Sequence, residues 1–122
     1  TGQITEEAIP SALQDASVCL CVDYRHDIQG YWSDRHWLCC GAGAAVLRRK
    51  TPGLTGDYFW DYETHEEMIE KAKRLVVDHD ARASLGTLAR QTVMQNHTIE
   101  HRCRELIEAC APMIDRERRI AA

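Results

Sequence analysis

Residues 30–54 read GYWSDRHWLCCGAGAAVLRRKTPGL and predict the central α/β unit of the chain. The pattern indicates a loop, a helix that Ser33 opens and that runs to about Ala42, a stop at Gly43 and a strand over 44–50. A Thr-Pro-Gly turn follows the strand. A loop that leads into a helix N-terminus is a natural binding position for phosphate, because free backbone N–H groups point outward there and the helix dipole favours negative charge.

Two more strands are predicted, one before and one after this unit. Residues 17–24, SVCLCVDY, form a continuous apolar run that ends in a charge, which is typical of a strand buried on both faces. Residues 57–62 are rich in aromatic side chains and predict a third strand. Strands that alternate with helices favour a parallel sheet with helices layered on it.

Capping residues and helical periodicity predict four further helices. They are a first helix that Thr5 caps and that ends near Gln14, a helix opened by the capping box Thr64–Glu67, a helix over roughly 81–95, and a last helix that Thr98 caps and that Pro112 ends or kinks. The predicted fold class is therefore α/β, with a single domain over 1–122. We expect a partial, Rossmann-like three-layer domain with a short parallel sheet of about three strands and C-terminal helices.

Composition argues against several classes of function. The formal net charge of −4 disfavours broad binding to nucleic acid or to an anionic membrane. No apolar run reaches the roughly 18–20 residues that a membrane span needs. Residues 1–10 also lack the basic and apolar regions of a signal peptide. The chain does not begin with Met, so we expect it to be processed, trimmed or part of something longer.

The chain contains six cysteines, Cys19, Cys21, Cys39, Cys40, Cys103 and Cys110. Cys19 and Cys21 alternate within a predicted strand and therefore point to one face of the sheet. Cys39 and Cys40 lie among apolar residues in the middle of a predicted helix. We interpret these four as buried, reduced thiols, which favours a cytoplasmic protein.

Four motifs, taken in order, resemble those of the CgeB-like (group 1) glycosyltransferases, which have the GT-B fold. They are Gly-Tyr-Trp-Ser-Asp-Arg at 30–35, a glycine stop at Gly43, Pro-Gly-Leu at 52–54 and His-Thr-Ile-Glu-His-Arg at 97–102. The order and the gaps match from about residue 15 to residue 106. The resemblance implies the C-terminal half of a two-domain enzyme, which binds a nucleoside diphosphate sugar.

The same resemblance implies five donor-binding residues. Gly30 would let the backbone approach the diphosphate, and Ser33 would cap the helix and donate a hydrogen bond. Arg35 would pair with phosphate bidentately, and Tyr31 or Trp32 would stack on the base or on a sugar ring. No catalytic residue, cofactor or metal is assigned by this comparison.

The chain also departs from the pattern of this family. Many relatives have a glutamate on the helix where this chain has Leu38, and the broader retaining group has a second glutamate eight residues earlier, where this chain has Gly30. The acceptor-binding N-terminal domain is absent from this sequence. We therefore expect glycosyl transfer to require a further domain, because transfer needs both substrates to be held together.

Two other functions compete with this prediction. One is a catalytically inactive, Rossmann-like interaction module that forms a homodimer through its open sheet edge. The other is a small metal-binding protein that uses cysteine and histidine, since His97 and His101 lie four residues apart with Cys103 close behind.

Several of the residues singled out also have purely structural interpretations. Arg35 would instead pair with Asp34 or Asp27, and Trp37 would be a core residue. The basic triplet at 48–50 is interpreted as a solvated strand end.

Overall fold

The structure is a computed structural model that describes residues 6–121, without the side chains of residues 6, 115 and 117–121. A short 3₁₀ turn at Glu6–Ala8 precedes eight elements: α1 (Ile9–Asp15), β1 (Cys19–Cys21), α2 (Arg35–Ala42), β2 (Val46–Arg49), β3 (Trp60–Tyr62), α3 (His65–Val77), α4 (His79–Asn96) and α5 (Ile99–Ala121). The order confirms the predicted α/β class. The predicted cap Thr5 lies outside the described residues.

The described residues form one parallel sheet in the order β1-β2-β3. Cys19 is opposite Val46 in the register of β1 and β2, and Leu47 is opposite Trp60 in that of β2 and β3. All three strands therefore run in the same direction, and their carboxyl ends meet at one edge of the sheet. In open α/β sheets this edge is where ligands bind.

Successive residues of the central strand point into two separate hydrophobic clusters. Val46 packs with Cys21 and Cys40 on the face that α2 covers. Leu47 packs with Tyr62 and Leu75 on the opposite face, which α3 covers. The chain therefore has the predicted layers, because alternate side chains of a strand leave on opposite faces.

The first strand is not buried on both faces, as the apolar run at 17–24 predicted. Cys19 and Cys21 are buried, but Leu20 between them is 46% exposed. Leu20 is opposite Leu47, so it lies on the face that α3 covers. Because α3 contacts β2 and β3 and β1 is the outer strand, that face of β1 stays open.

The cysteines are free thiols, as predicted, and Cys19, Cys21, Cys39 and Cys40 are buried. Burial raises the pKa of Cys40 to about 12, so this side chain is protonated at neutral pH. Cys40 therefore serves as a small hydrophobic side chain in the core.

Helix α4 crosses the amino end of β2 at a point of backbone contact. A Cβ atom on Gly86 would lie 2.2 Å from the carbonyl oxygen of Gly43, so only glycine fits there. Gly43 itself has φ 81° and ends α2, as the sequence predicted. The contact lets α4 supply Leu85 to one cluster and Ala89 to the other.

Most helix ends agree with the predicted caps. Thr64 accepts a hydrogen bond from the backbone N–H of Glu67 at 3.2 Å, which confirms the first half of the capping box. Helix α4 begins at His79, two residues before the predicted start, and Asp78 caps it. Helix α5 continues through Pro112 because the unbonded carbonyl one turn earlier lies on an exposed surface. None of the helices in the described part of the chain is long and apolar enough to cross a membrane.

Candidate functional site

A buried ion pair lies at the carboxyl ends of β1 and β2. The Oδ2 atom of Asp23 is 2.6 Å from Nη2 of Arg48, and the two side chains are 3% and 1% exposed. The same Nη2 atom also donates to Oγ1 of Thr51 at 3.1 Å. Arg48 is therefore not part of a solvated strand end, as the basic triplet at 48–50 predicted, because Asp23 neutralises it inside the protein.

Asp23 also fixes the start of α2. Its Oδ1 atom accepts a hydrogen bond from the backbone N–H of Ser33 at 3.0 Å. The prediction that Ser33 caps the helix is wrong: α2 begins at Arg35, and its N-cap, Asp34, makes no side-chain cap hydrogen bond. One of the amides expected to be free for phosphate is thus already bonded to a carboxylate of the chain.

A cleft of about 440 Å³ opens beside this ion pair, between the loop before α2, the turn after β2 and the start of α5. We call it the aromatic cleft; it is lined by Gly30, Trp32, Trp37, Gly53, Leu54, Thr55, Tyr58, His97 and Arg102. Its volume lies in the range of about 300–1,000 Å³ that is typical of small-molecule sites.

Two glycines bring the walls of the aromatic cleft together. The N–H of Gly30 donates to the carbonyl of Pro52 at 3.2 Å, which joins the loop before α2 to the turn after β2. Gly53 has φ 86°, and a Cβ atom there would lie 3.5 Å from the backbone nitrogen of Gly30. A glycine is suited to this position because the left-handed conformation strains other residues.

The far wall of the aromatic cleft combines stacked rings with a cation. The rings of Trp37 and His97 stack with their centroids 4.2 Å apart. Nη2 of Arg102 contacts Nδ1 of His97, and its Nη1 contacts Oε2 of Glu105 at 2.6 Å. Burial, and then the charge of Arg102, lower the pKa of His97, so the ring is neutral and accepts from Arg102.

Beneath the aromatic cleft lies a buried histidine. His36 is 1% exposed, and its ring centroid lies 4.9 Å from that of Trp37 and 5.1 Å from that of Phe59. Its Nδ1 atom has no hydrogen-bond partner among the described residues. Burial, with a smaller contribution from the charge of Arg48, lowers the pKa of His36 to about 4. The ring is therefore neutral at pH 7.

A second cleft, of about 540 Å³, lies on the other side of the turn after β2. We call it the charged cleft; it is lined by His26, Arg49, Lys50, Thr51, Pro52, Asp61 and Glu63, and it shares Gly53, Leu54 and Thr55 with the aromatic cleft. The turn at 53–55 is thus a ridge between two neighbouring clefts at the carboxyl edge of the sheet.

The five residues implied by the resemblance are only partly brought together. Gly30 and Trp32 line the aromatic cleft. Tyr31 is 45% exposed and lies outside that lining, as does Ser33. Arg35 also lies outside the lining: its Nη1 atom donates to the carbonyl of Val22 at 3.2 Å.

The structural alternatives hold for Trp37 but not for the pairing of Arg35 with Asp27. Asp27, a proposed partner of Arg35, pairs instead with Arg25 at 2.8 Å. Trp37 packs against the core and also forms a wall of the aromatic cleft. Leu38 is 56% exposed and lines a separate groove with residues of α1.

Sequence reasoning did not assign Arg102 or Tyr58 to a site, and it considered His97 only as a metal ligand. The signal for His97 and Arg102 was the motif at 97–102, which contributed to the family resemblance. Within the residues that the structure describes, no group of three or more His, Cys, Asp or Glu side chains is arranged to hold a metal ion.

The fold and the clefts define a layered α/β domain with its candidate site at the carboxyl edge of a parallel sheet. The glycosyl transferase-like family matches residues 1–108. Because the match covers most of the chain, this protein belongs to the glycosyl transferase-like family. Comparison with curated proteins and with solved structures gave no significant match.

Replacing Asp23 tests the importance of the buried ion pair. We expect Asp23→Asn to lower the free energy of unfolding by about 3–5 kcal/mol, because it leaves the Arg48 charge buried without its partner. Urea unfolding at pH 7 measures this change. Asp27→Asn, which removes an exposed ion pair, is the matched control and should have little effect. Equal stability of the two variants would contradict the assignment.

Acidification tests the burial of His36. Its pKa is lowered from about 6.5 to about 4, so between these values the unfolded chain binds a proton that the folded chain does not. This contribution to stability is complete above pH 6.5 and is lost as the pH falls toward 4, at a cost on the order of 2–3 kcal/mol.

Urea unfolding as a function of pH measures the effect in the native chain and in His36→Phe. We expect the curve of His36→Phe to be flatter over this range, whereas His79→Gln, at an exposed position, should follow the native chain. Parallel curves for the native chain and His36→Phe would refute the interpretation.

Proposed function

We propose that this chain is the nucleotide-sugar-binding part of a glycosyltransferase of the GT-B, CgeB-like type. In this proposal the donor is a nucleoside diphosphate sugar, and transfer needs a further, acceptor-binding domain. The buried thiols support a reducing, cytoplasmic location.

The observation that carries the proposal is the composition of the aromatic cleft. A nucleoside diphosphate presents a flat apolar base and a doubly charged phosphate group. The cleft offers rings from Trp37 and His97 on one wall and the guanidinium of Arg102 at the same wall. Aromatic faces suit a base, and a guanidinium suits phosphate oxygens because its donors match them two at a time.

Arg102 is free to change partners when a ligand binds. Its ion pair with Glu105 at 2.6 Å is exposed, since the side chains are 47% and 59% accessible. Exposed pairs of this kind contribute little to stability, so a diphosphate can replace Glu105 at low cost. Arg35, as the resemblance implies, would contribute a second cation from the start of α2.

This chain would contribute to the reaction by stabilising the nucleoside diphosphate as it leaves the sugar. Cleavage of the bond to the sugar leaves negative charge on the diphosphate, and cations held next to that charge lower the barrier. The main-chain amide of Ser33 is already bonded to Asp23, so in this proposal the phosphates depend more on side chains than on a bare helix N-terminus.

Titration with UDP and GDP tests the proposal. We expect Arg102→Ala to weaken binding of the accepted nucleotide by about 10- to 100-fold, the effect of losing one charge-assisted hydrogen bond. Isothermal titration calorimetry measures the dissociation constant. Arg104→Ala is the control, because Arg104 lies on the same helix and pairs with Glu100 outside the cleft.

Two outcomes would reject the role of Arg102 or of the cleft. Equal affinity of Arg102→Ala and Arg104→Ala would remove Arg102 from the site. Absence of binding by every nucleoside diphosphate would reject the proposed function. The dissociation constant of Arg35→Ala, measured in the same way, shows whether Arg35 at the start of α2 also contributes to nucleotide binding.

A second candidate function, an inactive module that forms a homodimer, is supported by exposed apolar surface. Leu20 is open at the outer strand, and Ile99, Leu106 and Ile107 on α5 are at least 65% exposed. In the first proposal a further, acceptor-binding domain covers such surface. In the second, another copy of the chain covers it.

Sedimentation velocity at increasing concentration separates the two. The homodimer predicts a dimer that Leu106→Glu disrupts if α5 forms the contact, or that Leu20→Lys disrupts if the sheet edge does. Glu108→Gln, at an exposed neighbouring position, should leave it intact. A chain that remains monomeric at every concentration would eliminate the second candidate.

A further inference from the structure

The charged cleft carries a second, distinct set of side chains. It lies at the carboxyl ends of β2 and β3 and encloses about 540 Å³, which makes it larger than the aromatic cleft. The ridge at 53–55 belongs to both clefts. A ligand that extends across this ridge would therefore contact both of them.

The charges of this cleft balance one another. Lys50 and Glu63 form an ion pair at 2.6 Å, and hydrogen bonding to Glu63 raises the pKa of Lys50. Arg49 and Asp61 add one charge of each sign to the lining. Two cations and two anions sum to zero, so this surface neither attracts nor repels a charged group strongly.

The side chains of Arg49 and Asp61 are available to a ligand. Neither forms a side-chain hydrogen bond to another described residue, whereas the carbonyl of Asp61 accepts from Nζ of Lys71 at 2.6 Å and anchors the backbone. A guanidinium supplies donors only, and a carboxylate supplies acceptors only. Together they match a group that both donates and accepts, which is the property of a hydroxyl.

We infer that the charged cleft holds the glycosyl group of the donor, a neutral ring rich in hydroxyls. The base then lies in the aromatic cleft, and the diphosphate crosses the ridge at 53–55, which lines both clefts. Asp61 accepts from the sugar hydroxyls and Arg49 donates to them. This inference rests on the proposed function and adds the position of the sugar to it.

Paired titrations test the inference. UDP is compared with UDP-glucose, and GDP with GDP-mannose, in the native chain and in Asp61→Ala. We expect the native chain to bind the sugar nucleotide more tightly than the nucleoside diphosphate. Asp61→Ala should remove this advantage by lowering the affinity for the sugar nucleotide about 3- to 10-fold. The affinity for the nucleoside diphosphate should stay unchanged.

Two further variants keep the test specific. Asp57→Ala, four residues earlier and outside both linings, should preserve the advantage of the sugar nucleotide. Arg49→Gln should also reduce the advantage without lowering the affinity for the nucleoside diphosphate, because it removes the guanidinium that donates to the sugar hydroxyls. Urea unfolding establishes that each variant is folded.

The outcomes separate this inference from the proposed function. If Asp61→Ala weakens the nucleoside diphosphate and the sugar nucleotide equally, or changes neither, the sugar does not occupy the charged cleft and the inference is overturned while nucleotide binding stands. If no nucleoside diphosphate binds the native chain, both fail. If Asp61→Ala loses the tighter binding of the sugar nucleotide and Asp57→Ala keeps it, the proposed function and the inference are both supported.

Discussion

The ion pair between Asp23 and Arg48 is the constraint on which the rest of the site depends. Two charges that are almost completely buried are tolerated only when each satisfies the other, and here one carboxylate also bonds the backbone of Ser33. The pair thereby joins the end of β1, the end of β2 and the start of α2. Because the loops that follow β1 and β2 line both clefts, this contact fixes one part of each cleft wall.

The clefts divide the carboxyl edge of the sheet by chemistry. On one side of the ridge at 53–55, rings and a single exposed guanidinium form a wall suited to a flat base and a phosphate. On the other, opposite charges cancel and leave hydrogen-bonding groups in place. The proposed donor, a sugar nucleotide, has this same division along its length.

The sequence predicted the elements whose signals are local. The glycine at Gly43 and the cap at Thr64 lie where expected, because their conformations depend on neighbours within a few residues. The prediction for Ser33 failed because the helix begins later, at Arg35 with Asp34 as its N-cap, while the backbone N–H of Ser33 bonds Asp23, ten residues away. The sequence also did not predict that Leu20 is exposed, because a local pattern does not show which strand lies at the edge of the sheet.

For the candidate site, the sequence predicted the loop at 30–35, of which Gly30 and Trp32 line the aromatic cleft, but not the residues that face it. Trp37 and His97 stack although sixty positions separate them, and Arg102 reaches the same cleft from α5. The motif at 97–102 contains His97 and Arg102 but does not show which side chains they contact. Their roles depend on distances between side chains, which the fold alone sets.

What the sequence determined by itself is the α/β class, the order of helices and strands and the set of buried thiols, because periodicity and capping act over a few residues. What only the tertiary structure decided is which charges are buried and which rings meet. Arg48 reads as one of three basic residues at a strand end, yet it is 1% exposed beside Asp23. The free energy of a buried charge or a stacked ring depends on its partner, and the partner is supplied by a distant part of the chain.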